Sequence, residues 1–253
     1  MFTKAIVRTP CTSFINGLTS ANLGRPDYKL ALKQHQEYIN ALNTSGVEVI
    51  VLPPDEKFPD STFVEDTALL TPHCAIITSP GAPSRKGEVI QMKEVVKEYY
   101  SNIEEIEAPG TVEAGDIMMV KDHYYIGLSE RTNLKGAEQT INILQKYGMN
   151  GSVIEVDKGL HLKSSVAYLE NNNLVATKDF STLKEFKKFK IIEIPDEESY
   201  AANCIWINDK VIIPKGYPRA KQKILDAGCW IQEVDVSEFR KLDGGLSCLS
   251  LRF

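Results

Sequence analysis

Three times along this chain an apolar residue stands four positions ahead of a glycine, and a strand-like run follows at once. The pairs are Leu42/Gly46 before Val47–Leu52, Leu144/Gly148 before Ser152–Val156, and Ile224/Gly228 before Cys229–Val234. Ahead of the first two, Leu30, Ile39 and Leu42, and then Ala137, Ile141 and Leu144, fall on one face of a helix. The glycine ends that helix in a left-handed conformation that side chains resist. Helices are therefore expected over Pro26–Ser45, Thr132–Tyr147 and Pro218–Ala227.

Four short pairs of apolar runs, each joined by polar turn residues, read as hairpins. They are Ala68–Leu70 with Cys74–Ile77, Ile117–Val120 with Tyr124–Ile126, Ala167–Leu169 with Leu174–Ala176, and Ile205–Ile207 with Val211–Ile213. Hairpin, helix and strand together form a unit. Just ahead of the units stand Glu65, Glu113, His161, Asn203 and Cys248, spaced by 48, 48, 42 and 45 residues. A period of about 45 residues marks a repeat architecture. The last unit has only a first strand, Leu246–Arg252, and the chain start has only a later one, Lys4–Arg8. Each completes the other if the chain closes on itself, which shields strand edges. An α/β-propeller of five ββαβ-type repeats is the expected fold, one domain over residues 1–253. Closure would gather the five repeat starts near one axis.

Composition narrows the function. Net charge is −5, and the basic residues are dispersed except at Lys184–Lys190, which excludes a nucleic-acid footprint. No apolar run approaches a membrane span, and MFTKAIVRTP lacks a signal-peptide core. Cysteines 11, 74, 204, 229 and 248 are odd in number and form no CxxC pair, which argues against a disulfide framework or zinc site. A reduced, cytoplasmic protein is expected, with no nucleic-acid or membrane partner. A homodimer stays open, because any exposed hairpin face can pair with a second copy.

Cysteine attacks as a thiolate, whose pKa falls beside a histidine, and a histidine can protonate a departing amine. Of His35, His73, His123 and His161, only His161 stands at a repeat start. A glutamate can orient it. Asp60, Glu65 and Asp66 lie within seven residues, and Arg85 and Arg131 follow successive hairpins. Acids for a cationic group and arginines for a carboxylate describe a zwitterion such as a basic amino acid.

The ordered motifs Phe63-Val-Glu65-Asp66, Val112-Glu113-Ala-Gly-Asp116, His161-Leu-Lys-Ser and Gly244-Gly-Leu-Ser-Cys248 resemble those of the guanidino-group-modifying enzymes, which share a five-bladed α/β-propeller, the pentein fold. Gly17-Leu18-Thr19-Ser20, Leu52-Pro-Pro-Asp-Glu, Ile191-Ile-Glu-Ile-Pro195 and Glu198–Cys204 extend the resemblance, over the whole chain, to the dimethylarginine dimethylaminohydrolases. That resemblance implies hydrolysis of methylated arginine to citrulline through a covalent thiouronium on Cys248. His161 would be the general acid, with Glu113 bonded to it. It further implies that Asp66, with Glu65 beside it, grips the guanidinium, that Arg85 and Arg131 hold the α-carboxylate, and that Asp60 places the amino-acid end. Leu18 would belong to a lid and Leu242 would offer a backbone contact. No metal or organic cofactor is implied. Arginine deiminases are similar but carry an aspartate two residues after the histidine, where this chain has Lys163. Arginine deiminase and a non-catalytic arginine-binding propeller are the rival readings.

Overall fold

The computed structural model describes residues 1–157 and 159–253. Strand β1 (Lys4–Arg8) leads to helix α1 (Tyr28–Thr44), capped by Asp27, whose carboxylate accepts from the Leu30 amide, and then to β2 (Glu48–Leu52). Hairpin β3 (Ala68–Leu70) and β4 (Ala75–Ile77) is followed by α2 (Glu88–Val96) and β5 (Ile103–Glu105). Hairpin β6 (Ile117–Val120) and β7 (His123–Leu128) precedes α3 (Leu134–Lys146) and β8 (Asn150–Glu155). Next come β9 (Val166–Tyr168), β10 (Asn173–Thr177), the single-turn α4 (Lys178–Ser181) and β11 (Lys190–Ile194). Finally β12 (Ile205–Ile207), β13 (Lys210–Pro214), α5 (Pro218–Asp226) and β14 (Trp230–Val234) lead to α6 (Ser237–Arg240) and β15 (Leu251–Arg252).

These strands form five separate three-stranded sheets. In four of them an antiparallel hairpin is joined by a parallel strand that returns after the helix. The fifth draws on both chain ends: β15 pairs antiparallel with β1 at Ala5↔Arg252 and Ile6↔Leu251, and β2 pairs parallel with β1. This is the expected five-repeat α/β-propeller architecture, and the sheets do not merge into one continuous barrel. The three signature glycines, Gly46, Gly148 and Gly228, all have φ near +80° (+79, +77 and +83), which glycine adopts without a Cβ clash.

One expectation changes, and one helix is unanticipated. The terminal strand is shorter than Leu246–Arg252. Residues Ser247–Leu249 form a 3-10 turn, because the Cys248 and Leu249 amides donate back to Gly245 and Leu246 instead of across a sheet. Helix α2, moreover, has no Leu/Ile-x3-Gly stop and ends at Lys97 in ordinary right-handed geometry, which is why its sequence gave no helix signal.

Helices pack their apolar faces on the sheets. Ala137 and Leu144 of α3 are fully buried against Tyr124 and Ile126 of β7. Burying one such leucine stabilises by roughly 1.5–3 kcal/mol. The first strand of each hairpin, with β15, faces the axis. Leu69, Met118, Ala167, Ile205 and Leu251 from these strands line an axial cavity of about 140 Å³. Short 3-10 turns precede the same strands, at Val64–Thr67, Ala114–Asp116, Leu162–Ser164, Asp196–Ala202 and Ser247–Leu249. They form a layer at one end of the axis.

Candidate active site

On that layer opens a cleft of about 810 Å³. Around it the structure gathers Leu18, Asp60, Asp66, Arg85, Glu113, Arg131, His161, Leu242 and Cys248. Glu65 and Lys163 border the axial cavity instead, together with Ser247 and Arg252.

His161 immediately precedes its 3-10 turn in extended backbone, and its Nε2 meets Glu113 Oε2 at 2.8 Å. Glu113 Oε1 accepts from the Ala82 amide. Burial alone would lower the imidazole pKa, but Asp66, Glu113 and Asp116 outweigh it and raise it to about 9. His161 is therefore cationic at neutral pH. Gly115 permits this approach, since a Cβ there would lie 2.7 Å from His161 Nδ1 and 2.8 Å from Asp66 Oδ1.

Asp66 Oδ1 accepts from the Gly115 amide at 3.0 Å, and Oδ2 meets Arg85 Nη1 at 2.6 Å. Burial would raise its pKa, yet His161 and Arg85 hold it below the usual carboxylate value. The donor atoms of Asp66, Glu113 and His161 lie within 4.8 Å of one another.

Cys248 sits within the Ser247–Leu249 turn, 8% exposed, with Sγ 3.4 Å from the Gly245 amide and 4.0 Å from Ser247 Oγ. Burial, then the charges of Glu65 and Asp66, push its thiol up to about 12. This differs from the expectation of a thiol lowered by histidine: at rest the site holds a neutral thiol near an imidazolium, because burial, reinforced by two carboxylates, disfavours the thiolate.

Arg85 differs from the free clamp expected. It is 5% exposed, with Nε and Nη2 on Glu88, Nη1 on Asp66 and Nη2 also donating to the carbonyls of Phe63 and Asp60. Arg131 is more open, its Nη1 3.6 Å from Glu113 Oε1 and its side chain 21% exposed. Asp60 accepts from the Leu18 amide at 2.9 Å, and burial raises its pKa. The Leu18 loop is held from the other side too. Thr19 Oγ1 donates to the Lys241 carbonyl, and the Ser20 amide and hydroxyl donate to Asp243 Oδ2. Exposed Leu18 thus lines the cleft beside Leu242.

Glu65 departs most from the expected pairing beside Asp66. Its Oε1 takes Lys163 Nζ at 2.7 Å and Arg252 Nη2 at 2.9 Å, while Oε2 is buried without a hydrogen-bond partner. The sequence reading also passed over Asp116 and Glu88. Asp116 accepts from the Leu162 amide and from Ser129 Oγ, so it fixes the His161 turn as well as adding to its charge. Its signal was present in Glu113-Ala-Gly-Asp116, a second acid directly before an apolar strand. Of the other histidines, His35 is buried in α1, and His123 Nε2 meets Ser152 Oγ at 2.8 Å, away from the cleft. The described cysteines are all free thiols.

With this geometry in place, comparison with known proteins is decisive. The family described as N,N dimethylarginine dimethylhydrolase, eukaryotic, matches residues 24–249. The chain is 59% identical to the N(G),N(G)-dimethylarginine dimethylaminohydrolase of Pseudomonas aeruginosa, over 100% of both chains. The chain belongs to the dimethylarginine dimethylaminohydrolase family. A second family member, from Streptomyces coelicolor, is 32% identical over 98% of this chain and 96% of its own. A solved structure of a cysteine-to-serine mutant of the Pseudomonas aeruginosa protein, complexed with citrulline, superposes with a TM-score of 0.99 over 100% of both chains. The N-terminal domain of ArgZ, a cyanobacterial arginine dihydrolase, shares the fold at 18% identity, with a TM-score of 0.89 over 98% of this chain and 97% of that one. No helix among the described residues is long and apolar enough to cross a membrane.

Proposed function

We propose that this chain hydrolyses Nω-methylated arginines, asymmetric dimethylarginine and monomethylarginine, to citrulline plus dimethylamine or methylamine. The observation that carries this reading is the pairing of a buried thiol and a cationic His161 around the carboxylate of Asp66, in a chain so close to the Pseudomonas aeruginosa enzyme. A guanidinium accepted by Asp66 brings a positive charge beside the sulfur. It offsets the two carboxylates that, added to burial, hold the thiol protonated, so substrate binding itself favours loss of the thiol proton to solvent. Glu65, beside Asp66 in sequence, instead spends its charge on Lys163 and Arg252 on the axial side.

Cys248 Sγ then bonds to the guanidinium carbon. His161 gives its proton to the methylated nitrogen, the C–N bond breaks and the amine leaves. The resulting thiouronium is attacked by water, whose proton passes to the now neutral His161. Collapse breaks the C–S bond, and the remaining hydroxyl proton passes to the departing sulfur, releasing citrulline and restoring the Cys248 thiol. Glu113 and Asp116 hold His161 in its charged form for the first half of the cycle. At the other end of the substrate, Asp60 meets the α-ammonium and Arg131 the carboxylate, with Arg85 adding charge from the wall. Leu18 closes over the substrate, and the Leu242 backbone adds a contact. Lys163, where deiminases carry an acid, is committed to Glu65, so no third carboxylate competes for the nitrogen that bears the methyl groups.

The test is citrulline release from asymmetric dimethylarginine and from free arginine, with Cys248→Ser as control. Turnover of the methylated substrate, at least a thousandfold lower in the variant, is expected. Preferential turnover of free arginine would move the chain to the deiminases.

A further inference from the structure

Among the five repeat starts, Asn203 has no part in the chemistry above, yet it is buried beside the nucleophile. Its Oδ1 accepts a hydrogen bond from the Ser247 amide at 2.9 Å, one residue before Cys248. Three residues earlier, Tyr200 Oη donates to the Gly244 carbonyl at 2.8 Å. Gly245 lies between these two points, and a Cβ there would stand 2.4 Å from Asn203 Cγ. The Gly245 amide in turn points at Cys248 Sγ. One segment, Tyr200–Asn203, therefore holds the stretch that leads into the nucleophile turn, Gly244–Ser247, at both ends and packs against its middle.

The turn needs such support. Its own bonds are single-turn contacts, Cys248 to Gly245 at 3.2 Å and Leu249 to Leu246 at 3.4 Å. The preceding glycine pair is conformationally the freest dipeptide available. Tyr200 is well fixed for the task, with the Arg240 guanidinium 4.9 Å over its ring and the Tyr217 ring 5.7 Å away.

We propose that Asn203 and Tyr200 are positioning residues of the reaction: they aim Cys248 Sγ at the guanidinium carbon by holding Ser247 and Gly244. The inference rests on Cys248 being the nucleophile. Loss of either residue leaves thiol, acid and substrate contacts in place but lets the sulfur wander, and a displacement of about 1 Å costs on the order of a hundredfold in rate.

Steady-state kinetics with asymmetric dimethylarginine, pH profiles and thermal unfolding of Tyr200→Phe, Asn203→Ala and Asn203→Asp provide the test. Tyr200→Phe, which removes only a hydroxyl, is expected to lower kcat about three- to tenfold, and Asn203→Ala about thirtyfold. KM should stay within about threefold of wild type, because Asp60, Asp66 and Arg131 are untouched. Asn203→Asp keeps the acceptor for Ser247, so it should recover kcat at high pH. Its added charge should move the rising limb of the kcat/KM profile to higher pH. A purely structural role would lower melting temperature with a normal kcat per folded molecule, and would overturn the proposal. So would kcat within twofold of wild type in both Tyr200→Phe and Asn203→Ala. Wild-type enzyme that releases no citrulline, or Cys248→Ser that still does, would instead overturn the underlying functional reading.

Discussion

Glu65 and Asp66 are neighbours in sequence and nearly equal in burial, at 3% and 2% exposed, yet they serve opposite sides of the turn layer. Asp66 faces the cleft, where Arg85, His161 and the Gly115 amide hold it ionised and ready for a cation. Glu65 borders the axial cavity, bound to Lys163 and Arg252. On the cavity side the charges answer one another and weld the ring: Arg252 reaches Glu65 while donating to the Ser247 and Ser250 carbonyls. On the cleft side His161 is over-supplied with carboxylates, and the excess negative charge is what a guanidinium completes. Two acids one position apart thus differ in their partners: Glu65 is tied into the ring, and Asp66 opens on the cleft.

The largest effect expected from this division concerns two arginines. Arg252→Met strips a buried carboxylate of a partner, so a stability loss of about 3–5 kcal/mol should appear in urea unfolding. Arg131→Met lies on the open cleft and should barely change stability, while raising KM about thirtyfold. A reversed pattern would break the comparison.

Stability should also carry the imprint of His161. Its pKa is raised from 6.5 to about 9 on folding. Its stabilising contribution is therefore complete below about pH 6.5 and is lost as pH rises through 9, on the order of 3 kcal/mol. The Cys248 thiol, raised from 9 to about 12, adds a further loss between those values. Urea unfolding at pH 6 and pH 9 should show the first loss in wild type and not in His161→Asn.

Glu113→Gln removes the carboxylate bonded to His161, so the alkaline limb of kcat/KM, where the acid is lost near pH 9, should shift down by about one unit. The smallest effect belongs to the lid. Asp243 has φ +58 and its carboxylate holds Ser20. Asp243→Gly relieves the backbone and removes the latch, so KM should rise about threefold with kcat unchanged.

Much of this was legible in the residues. The glycine stops and hairpin turns are local signals, and they gave the repeat, the pairing of the chain ends and the layer on which Glu113, His161 and Cys248 meet. What escaped was set by long-range partners. No local pattern distinguishes Glu65 from Asp66, because their fates depend on Arg252, Lys163 and Arg85, up to 187 residues away in sequence. Arg85 looked like a free carboxylate ligand until Glu88, three residues on, was seen to occupy two of its nitrogens. The thiol was expected low beside a histidine, whereas burial and two nearby acids push it high.

The most direct test of the division is to neutralise the two neighbours separately, Glu65→Gln and Asp66→Asn, and to record kcat/KM for asymmetric dimethylarginine and melting temperature for each. Asp66→Asn should lose at least a hundredfold in kcat/KM. Glu65→Gln should lose no more than about tenfold, with the larger fall in melting temperature of the two, because Lys163 and Arg252 are left without their counter-charge. Equal losses of kcat/KM in the two variants, with Glu65→Gln as thermally stable as wild type, would contradict it and place Glu65 in the cleft with the substrate.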